Sequence, residues 1–131
     1  MRTVVCFRAA GTDYCLPVEA TRAVRPVLGM VVLPAVRADV VGLLPGAPPL
    51  TVLSPLGGGG GAGGGGQILV VEVGDTTLGL LVDAVSGLRR IADADIRVAP
   101  RGQERGLVCG TVEADGRLLL VADPAALVER L

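Results

Sequence analysis

Gln67-Ile68-Leu69-Val70-Val71-Glu72-Val73-Gly74-Asp75-Thr76-Thr77-Leu78-Gly79-Leu80-Leu81-Val82-Asp83-Ala84-Val85 is the stretch on which the fold turns. It holds two apolar, β-branched runs joined by a short loop at Gly74-Asp75. Gly followed by Asp suits the positive-φ turns that match strand twist, so the stretch predicts a tight antiparallel hairpin. A weaker copy lies near the N-terminus: Thr3-Val4-Val5-Cys6-Phe7-Arg8, then Gly11-Thr12-Asp13, then Tyr14-Cys15-Leu16-Pro17-Val18-Glu19-Ala20. Both copies end in valine, acid, alanine, at Val18-Glu19-Ala20 and Val82-Asp83-Ala84. Two related β units in one small chain predict a scaffold with two faces, a shape better suited to linking partners than to catalysis.

The 131 residues make about one domain. Half are apolar but only 2 % are aromatic. The core must therefore be built from Val, Leu, Ile and Ala, with little ring surface for stacking bases or sugars. Net charge is −1, from 12 basic and 13 acidic residues spread along the chain. No basic stripe emerges, so nucleic acid is not an expected partner. Every basic residue is Arg, which reads as a composition bias. Three cysteines, Cys6, Cys15 and Cys109, lack metal-ligand spacing and sit in apolar strand patterns, where Cys behaves as a small core hydrophobe. Cys6 and Cys15 can face each other across the first hairpin, though reduced thiols are the simpler assignment. The start of the chain runs straight into a strand pattern, and no apolar run reaches the roughly 18 residues that a membrane span needs. A soluble, cytoplasmic chain without direct membrane insertion is expected.

Along the chain, residues 3–9 and 13–18 read as the first hairpin. Residues 18–24 read as a helical turn or a bent strand, stopped by Pro26. Residues 27–39 read as a connector with Val31-Val32-Leu33 extended. Asp39 to Leu44 and Leu50 to Leu53 read as strands. Residues 57–66, nine glycines and Ala62, read as a flexible linker. After the second hairpin, Ser86 to Ile91 continues or restarts a strand, and residues 92–103 read as a polar surface loop. Leu107 to Glu113 and Arg117 to Val121 flank Asp115-Gly116, a strong hairpin signal. Asp123 as N-cap and Pro124 at the first helical position open a short helix expected to cap a barrel end. Eight to ten short strands with regular hairpins indicate one or two small barrels.

Much chemistry is excluded. With no His, imidazole triads and His-based zinc sites are gone. With no Lys, so are the P-loop lysine and Schiff-base catalysis. The glycine run opens a strand, not a helix, and so does not match a dinucleotide cradle. Asp93 and Asp95 lie in a polar stretch, and Glu19 and Asp83 end apolar strands, positions that suit capping or pairing with Arg. Arg89-Arg90 can grip an acidic surface or simply be solvated. Phe7 and Tyr14 are expected in the core. No catalytic, cofactor-binding or metal-binding residue is expected.

Taken in order, Asp13-Tyr14-Cys15-Leu16-Pro17-Val18-Glu19, Val40-Val41-Gly42-Leu43, Leu78 to Gly87, Gly110-Thr111-Val112 and Arg117 to Pro124 resemble the CheW-like domain family over nearly the whole chain. The resemblance implies a mainly β fold: two five-stranded SH3-like β-barrel subdomains and a short C-terminal helix. It implies a single domain over residues 1–131, with halves of roughly 1–56 and 67–131 whose strands can interleave. It further implies a non-enzymatic adaptor, without cofactors, in bacterial chemotaxis. One face would dock the regulatory domain of a CheA-type histidine kinase, and a groove between subdomains would take the cytoplasmic tip of a methyl-accepting chemoreceptor. The chain would then lie in the cytoplasm at receptor arrays. Partner-binding residues implied are Val18, Glu19, Val40, Val41, Gly42, Leu43 and Ala47. Two departures stand out: a family arginine of the coupling surface falls at or near Ala47, and a family glutamate falls near Ala23. The alternative is a scaffold of the same fold that localises other proteins at arrays without kinase coupling.

Overall fold

The structure, a computed structural model, describes residues 1–33, 39–56, 66–98 and 106–131. The glycine-rich run (except Gly66), Pro34 and the far part of the 92–103 stretch lie outside the described residues. Twelve strands and one short helix are formed among the described residues: β1 (Arg2–Ala9), β2 (Thr12–Pro17), β3 (Thr21–Pro26), β4 (Val31–Val32), β5 (Val40–Leu44), β6 (Leu50–Leu53), β7 (Gln67–Val73), β8 (Thr76–Val82), β9 (Ala84–Ile91), β10 (Arg97–Val98), β11 (Val108–Ala114), β12 (Arg117–Ala122) and α1 (Pro124–Val128). Single 3-10 turns occupy Val18–Ala20 and Asp93–Asp95. The polar stretch after Ile91 is thus more ordered than a plain loop. It holds the second turn and β10, whose two residues are too few to carry a periodic signal.

The strands form two sheets. The first has the order β10-β11-β12-β2-β1-β9 and the second β3-β7-β8-β6-β5-β4. Each holds five full strands, as expected, plus a two-residue strand at one edge. Hydrogen bonding leaves both sheets open rather than closed into a continuous barrel ladder. After the β1–β2 hairpin the chain crosses at Val18–Ala20, and β3 joins the second sheet beside β7. After the β7–β8 hairpin it crosses at Asp83, and β9 joins the first sheet beside β1. The two valine-acid-alanine motifs therefore mark the crossings, and each hairpin donates its third strand to the other sheet.

This pseudo-two-fold relation extends to individual residues. With Val18 placed on Val82, the cross-strand pair Phe7–Tyr14 falls on Val71–Leu78 and Cys6–Cys15 falls on Val70–Gly79. In β9 the pairing with β1 skips Ser86, and in β3 the pairing with β7 skips Arg22 at the equivalent place. A third and fourth bulge also correspond: Cys109 is skipped in β11 against β12, and Val41 in β5 against β6. A bulge breaks the alternation of faces. That is why Cys109 is exposed rather than buried as its apolar neighbours suggested, while Cys6 and Cys15 are buried free thiols directly opposite one another.

Turn chemistry follows the sequence. Asp115-Gly116 has positive φ at both residues, the type I′ pattern, and at Gly74-Asp75 only the glycine does. The first hairpin turns at Ala10-Gly11, one residue earlier than the Gly11-Thr12-Asp13 reading, with Ala10 at φ 51°. That region is unfavourable for a residue with a Cβ.

Period-two alternation divides the apolar side chains between three clusters. Val5, Phe7, Leu16, Leu69, Val71, Leu78, Leu80 and Val82, from both sheets, share one core. Val4, Cys6, Cys15, Ile91 and Val112 fill the far side of the first sheet, and Leu44, Val52, Ile68 and Leu81 that of the second. Strands β1, β7 and β8 are covered on both faces, which explains their unbroken apolar runs. Each fully buried leucine contributes roughly 1.5–3 kcal/mol. Phe7 and Tyr14 stack at 5.7 Å inside the shared core. Helix α1 opens as read, with the Asp123 side chain accepting from the Ala125 amide at 3.0 Å. Ala126 and Leu127 enter the shared core and the helix packs on β7 of the opposite sheet.

Gly42 and Gly110 each follow a bulge and let a two-residue edge strand close in. A Cβ at Gly42 would lie 2.6 Å from the Val31 carbonyl oxygen, and one at Gly110 2.9 Å from that of Arg97. Backbone cannot yield there without moving β4 or β10. Gly42→Ala and Gly110→Ala should each cost about 1–3 kcal/mol in chemical denaturation. Ala10→Asn, which suits the left-handed turn position, should instead raise stability by up to about 1 kcal/mol.

Candidate partner-binding groove

Where the exchanged strands β3 and β9 lie over the shared core, a groove of about 360 Å³ opens between the sheets. Its lining follows the pseudo-two-fold relation. Val5 and Leu69 are one equivalent pair, and both are buried. Thr21 with Val85 and Ala23 with Gly87 form two more pairs. Val24 and Leu88 complete the set and are exposed at 44 % and 68 %. Val18, at the first crossing, also lines it. Both walls are strands paired along their length with the buried strands β7 and β1, so the groove is preformed.

Among the described lining residues, Arg22 alone carries a charge. Its bulge turns it to Glu72, which accepts from Nη2 at 3.0 Å, while Nη1 donates to the Glu19 carbonyl at 3.2 Å. The hydrogen bond and charge of Arg22 hold the Glu72 carboxyl below its ordinary range. The equivalent Ser86 of β9 does not line the groove; it donates its hydroxyl to the Cys6 carbonyl at 3.1 Å beside a small pocket with Arg89 and Leu119.

Other surfaces offer less. A polar-lined depression of about 790 Å³ lies by Asp95, Arg97, Thr111 and Glu113. Asp93, beside it in sequence, pairs with Arg2 at 3.0 Å. Arg89 pairs with Asp115, and Arg90 is exposed. Burial pushes the Cys15 thiol up to about 12 and raises that of Cys6, against the opposing pull of Arg89. Such thiols are poor nucleophiles. Among the described residues no three His, Cys, Asp or Glu side chains gather as a metal site.

The residues expected to bind partners do not form one patch. Val18 lines the groove, and Glu19 is exposed next to it. Val40 to Leu43 lie on β5, far along the second sheet's strand order. Val40 packs on the shared core and Val41 on the second sheet's own cluster. Gly42 is buried for the close approach of β4. Ala47 is exposed in the β5–β6 turn, before a cis bond to Pro48. Ala23, where the resemblance puts a glutamate nearby, lines the groove. Sequence reasoning did not name Val5, Val24, Leu69 or Leu88. Their only signal was the repeated valine-acid-alanine motif, which places the residues following each copy in equivalent positions.

Because the folded value of Glu72 is lowered, the stabilisation from its ion pair is present above the ordinary carboxylate range and fades as pH falls through the lowered value. Arg22→Ser should return the Glu72 titration midpoint to about 4.3–4.5, read from its carboxyl carbon by NMR.

Known proteins are similar to this chain. The chain is 28 % identical over 130 residues to the chemotaxis protein CheW of Rhizobium meliloti (strain 1021), covering 93 % of this chain and 84 % of that protein. It is also 28 % identical to a probable chemotaxis protein CheW of Rhizobium etli, covering 96 % and 86 %. The crystal structure of the scaffolding protein TtCheW from Thermoanaerobacter tengcongensis superposes with a TM-score of 0.81 at 20 % identity, over 93 % of this chain and 88 % of that one, and so shares the fold. The CheW-like domain family model matches residues 53–131, β6 to the C-terminal leucine, which is more than half of the sequence. With that match and the two exchanged sheets in agreement, the chain belongs to the CheW-like domain family.

Proposed function

We propose that this chain is a non-enzymatic chemotaxis adaptor, a single domain that holds a CheA-type histidine kinase and a chemoreceptor in a fixed relation in the cytoplasm. One observation carries the reading: a preformed apolar groove with exposed Val24 and Leu88 at its walls, in a member of this family. The groove takes the helical tip of the receptor, with Val18 and Glu19 at its margin. The regulatory domain of the kinase docks at the other end of the second sheet. There β5, with Val40 to Leu43, lies beside the exposed Val31 and Val32 of β4, and Ala47 sits in the adjoining turn. Both contacts need only a modest area, about 800 Å² or less per partner, as transient signalling interfaces have. Receptor conformation then biases kinase activity through two contacts on one rigid body, without chemistry at either.

Ala47 favours a second reading, a scaffold that binds receptors without coupling the kinase, because the resemblance implies an arginine there.

Binding of the purified chain to a CheA regulatory domain and to a soluble receptor fragment, measured by calorimetry, tests both readings. Micromolar binding to each is expected. Leu88→Asp should weaken receptor binding at least tenfold and leave kinase binding intact, since it puts an unpaired charge in the groove. Ala47→Arg should strengthen kinase binding. Receptor binding without any kinase binding would select the second reading, and failure to bind either partner would end both.

A further inference from the structure

We propose that Cys6 and Cys15 are an oxidisable pair that closes to a disulfide across β1 and β2, with Cys6 as the thiol that meets hydrogen peroxide. The inference does not depend on what the groove binds.

Register sets the geometry. Cys6 lies directly opposite Cys15 in the first hairpin. Opposed residues of an antiparallel pair alternate between those that exchange both backbone hydrogen bonds and those that exchange none. The Cys6 carbonyl accepts from the Ser86 hydroxyl, and the Arg8 carbonyl from the Asp83 amide. At both residues the backbone polar groups therefore point to the β9 side, away from β2. Cys6 and Cys15 form a pair without mutual hydrogen bonds. Two steps further in the same alternation Pro17 stands opposite Val4, a place that asks no N–H of it. Residues in such pairs have Cα atoms about 4.5 Å apart, inside the roughly 4.4–6.8 Å that a disulfide spans. Both side chains join the cluster on the far side of the first sheet, so they leave the hairpin on one face, and both are free thiols.

Access to the two thiols differs. Cys15 is 0 % exposed and Cys6 8 %. Cys6 lines a pocket of about 50 Å³ with Asp13, Ser86, Arg89 and Arg117. That space and its polar lining suit a molecule little larger than water, as hydrogen peroxide is. Burial raises the Cys6 thiol and Arg89 opposes it only in part, so the oxidation is slow and answers sustained exposure. In the first step the Cys6 sulfur attacks one peroxide oxygen and the O–O bond breaks. The departing hydroxide takes the thiol proton and leaves as water, and Cys6 becomes a sulfenic acid. The Cys15 sulfur then attacks the Cys6 sulfur. The S–O bond breaks, hydroxide takes the Cys15 proton and leaves as a second water, and the S–S bond forms. Two thiols are oxidised by two electrons and one peroxide is reduced to two waters. Disulfides that do form in a reducing compartment are mostly transient and redox-sensing, the role such a pair would have here.

The test uses the full chain carrying Cys109→Ser, because that exposed thiol would otherwise react first. The reduced protein is treated with hydrogen peroxide and followed by intact mass and peptide mapping, with circular dichroism to confirm folding. A loss of two hydrogens is expected, with the Cys6 and Cys15 peptides linked and the change reversed by dithiothreitol. With Cys15→Ala added, Cys6 should instead be trapped by dimedone as its sulfenic acid. With Cys6→Ala added, Cys15 should stay reduced. Cys15→Val keeps the core filled if alanine loosens the hairpin. A folded chain that keeps both thiols, or that carries Cys6 past sulfenic acid without a bridge, overturns the inference. So does oxidation of Cys15 in Cys6→Ala at an undiminished rate, which would remove Cys6 as the point of entry.

Discussion

One shared apolar core holds two strands away from the hairpins that precede them. β3 and β9 each leave their own hairpin and pair with the other's first strand. Neither sheet can be completed by one half of the chain. The exchange is fixed because Val5, Phe7 and Leu16 on one side and Leu69, Val71, Leu78 and Leu80 on the other lose water only together. Helix α1 adds to the same constraint, since it follows β12 of the first sheet yet buries Leu127 in the shared core against the second. A change in the core is felt by both sheets at once.

The groove follows from that constraint. Its walls are the exchanged strands, and its floor is the outermost layer of the shared core. It is therefore no appendage that could be shaped independently of stability. Val5 and Leu69 serve packing and surface together, and the lips formed by Val24 and Leu88 can vary without opening the core. The same logic separates the two ends of the second sheet. β3 belongs to the groove, while β4 and β5 belong to a distant edge, so the two surfaces share no residues.

The hairpins were legible because their evidence is local. Alternation, β-branched runs and the Gly74-Asp75 and Asp115-Gly116 turns lie within a few residues of what they determine. The Asp123-Pro124 helix start was legible for the same reason. The crossings were not, since period-two alternation says which residues share a face but not which sheet receives the strand. Thr21-Arg22-Ala23-Val24-Arg25-Pro26 has a weak apolar pattern because the strand is exposed over nearly its whole length and is held by its pairing with β7. Bulges were invisible too. The extra residue at Cys109 shifts its side chain to the outside, against a pattern that pointed inward. The groove inherits both blind spots. It pairs residues from β3 with residues from β9, widely separated in sequence, and its charged member is a bulge residue.

A chain that is half apolar, with a mean hydropathy of +0.61, has to show apolar surface without pairing edge to edge. Among the described residues four strand edges are open: β3 and β4 in one sheet, β9 and β10 in the other. Three of them carry arginine, at Arg22 and Arg25, at Arg89 and Arg90, and at Arg97, and β3 ends in Pro26. The fourth, β4, is the short Val31–Val32. Charge, proline and brevity are the usual means of blunting an edge. Arginine in particular tolerates partial burial against aliphatic neighbours because its stem is apolar and its head is weakly hydrated. The edge charges thus serve solubility first. In β3 the bulge turns one of them, Arg22, onto Glu72 of the neighbouring β7, so a residue type present at the edges for negative reasons also ties an edge strand to its sheet.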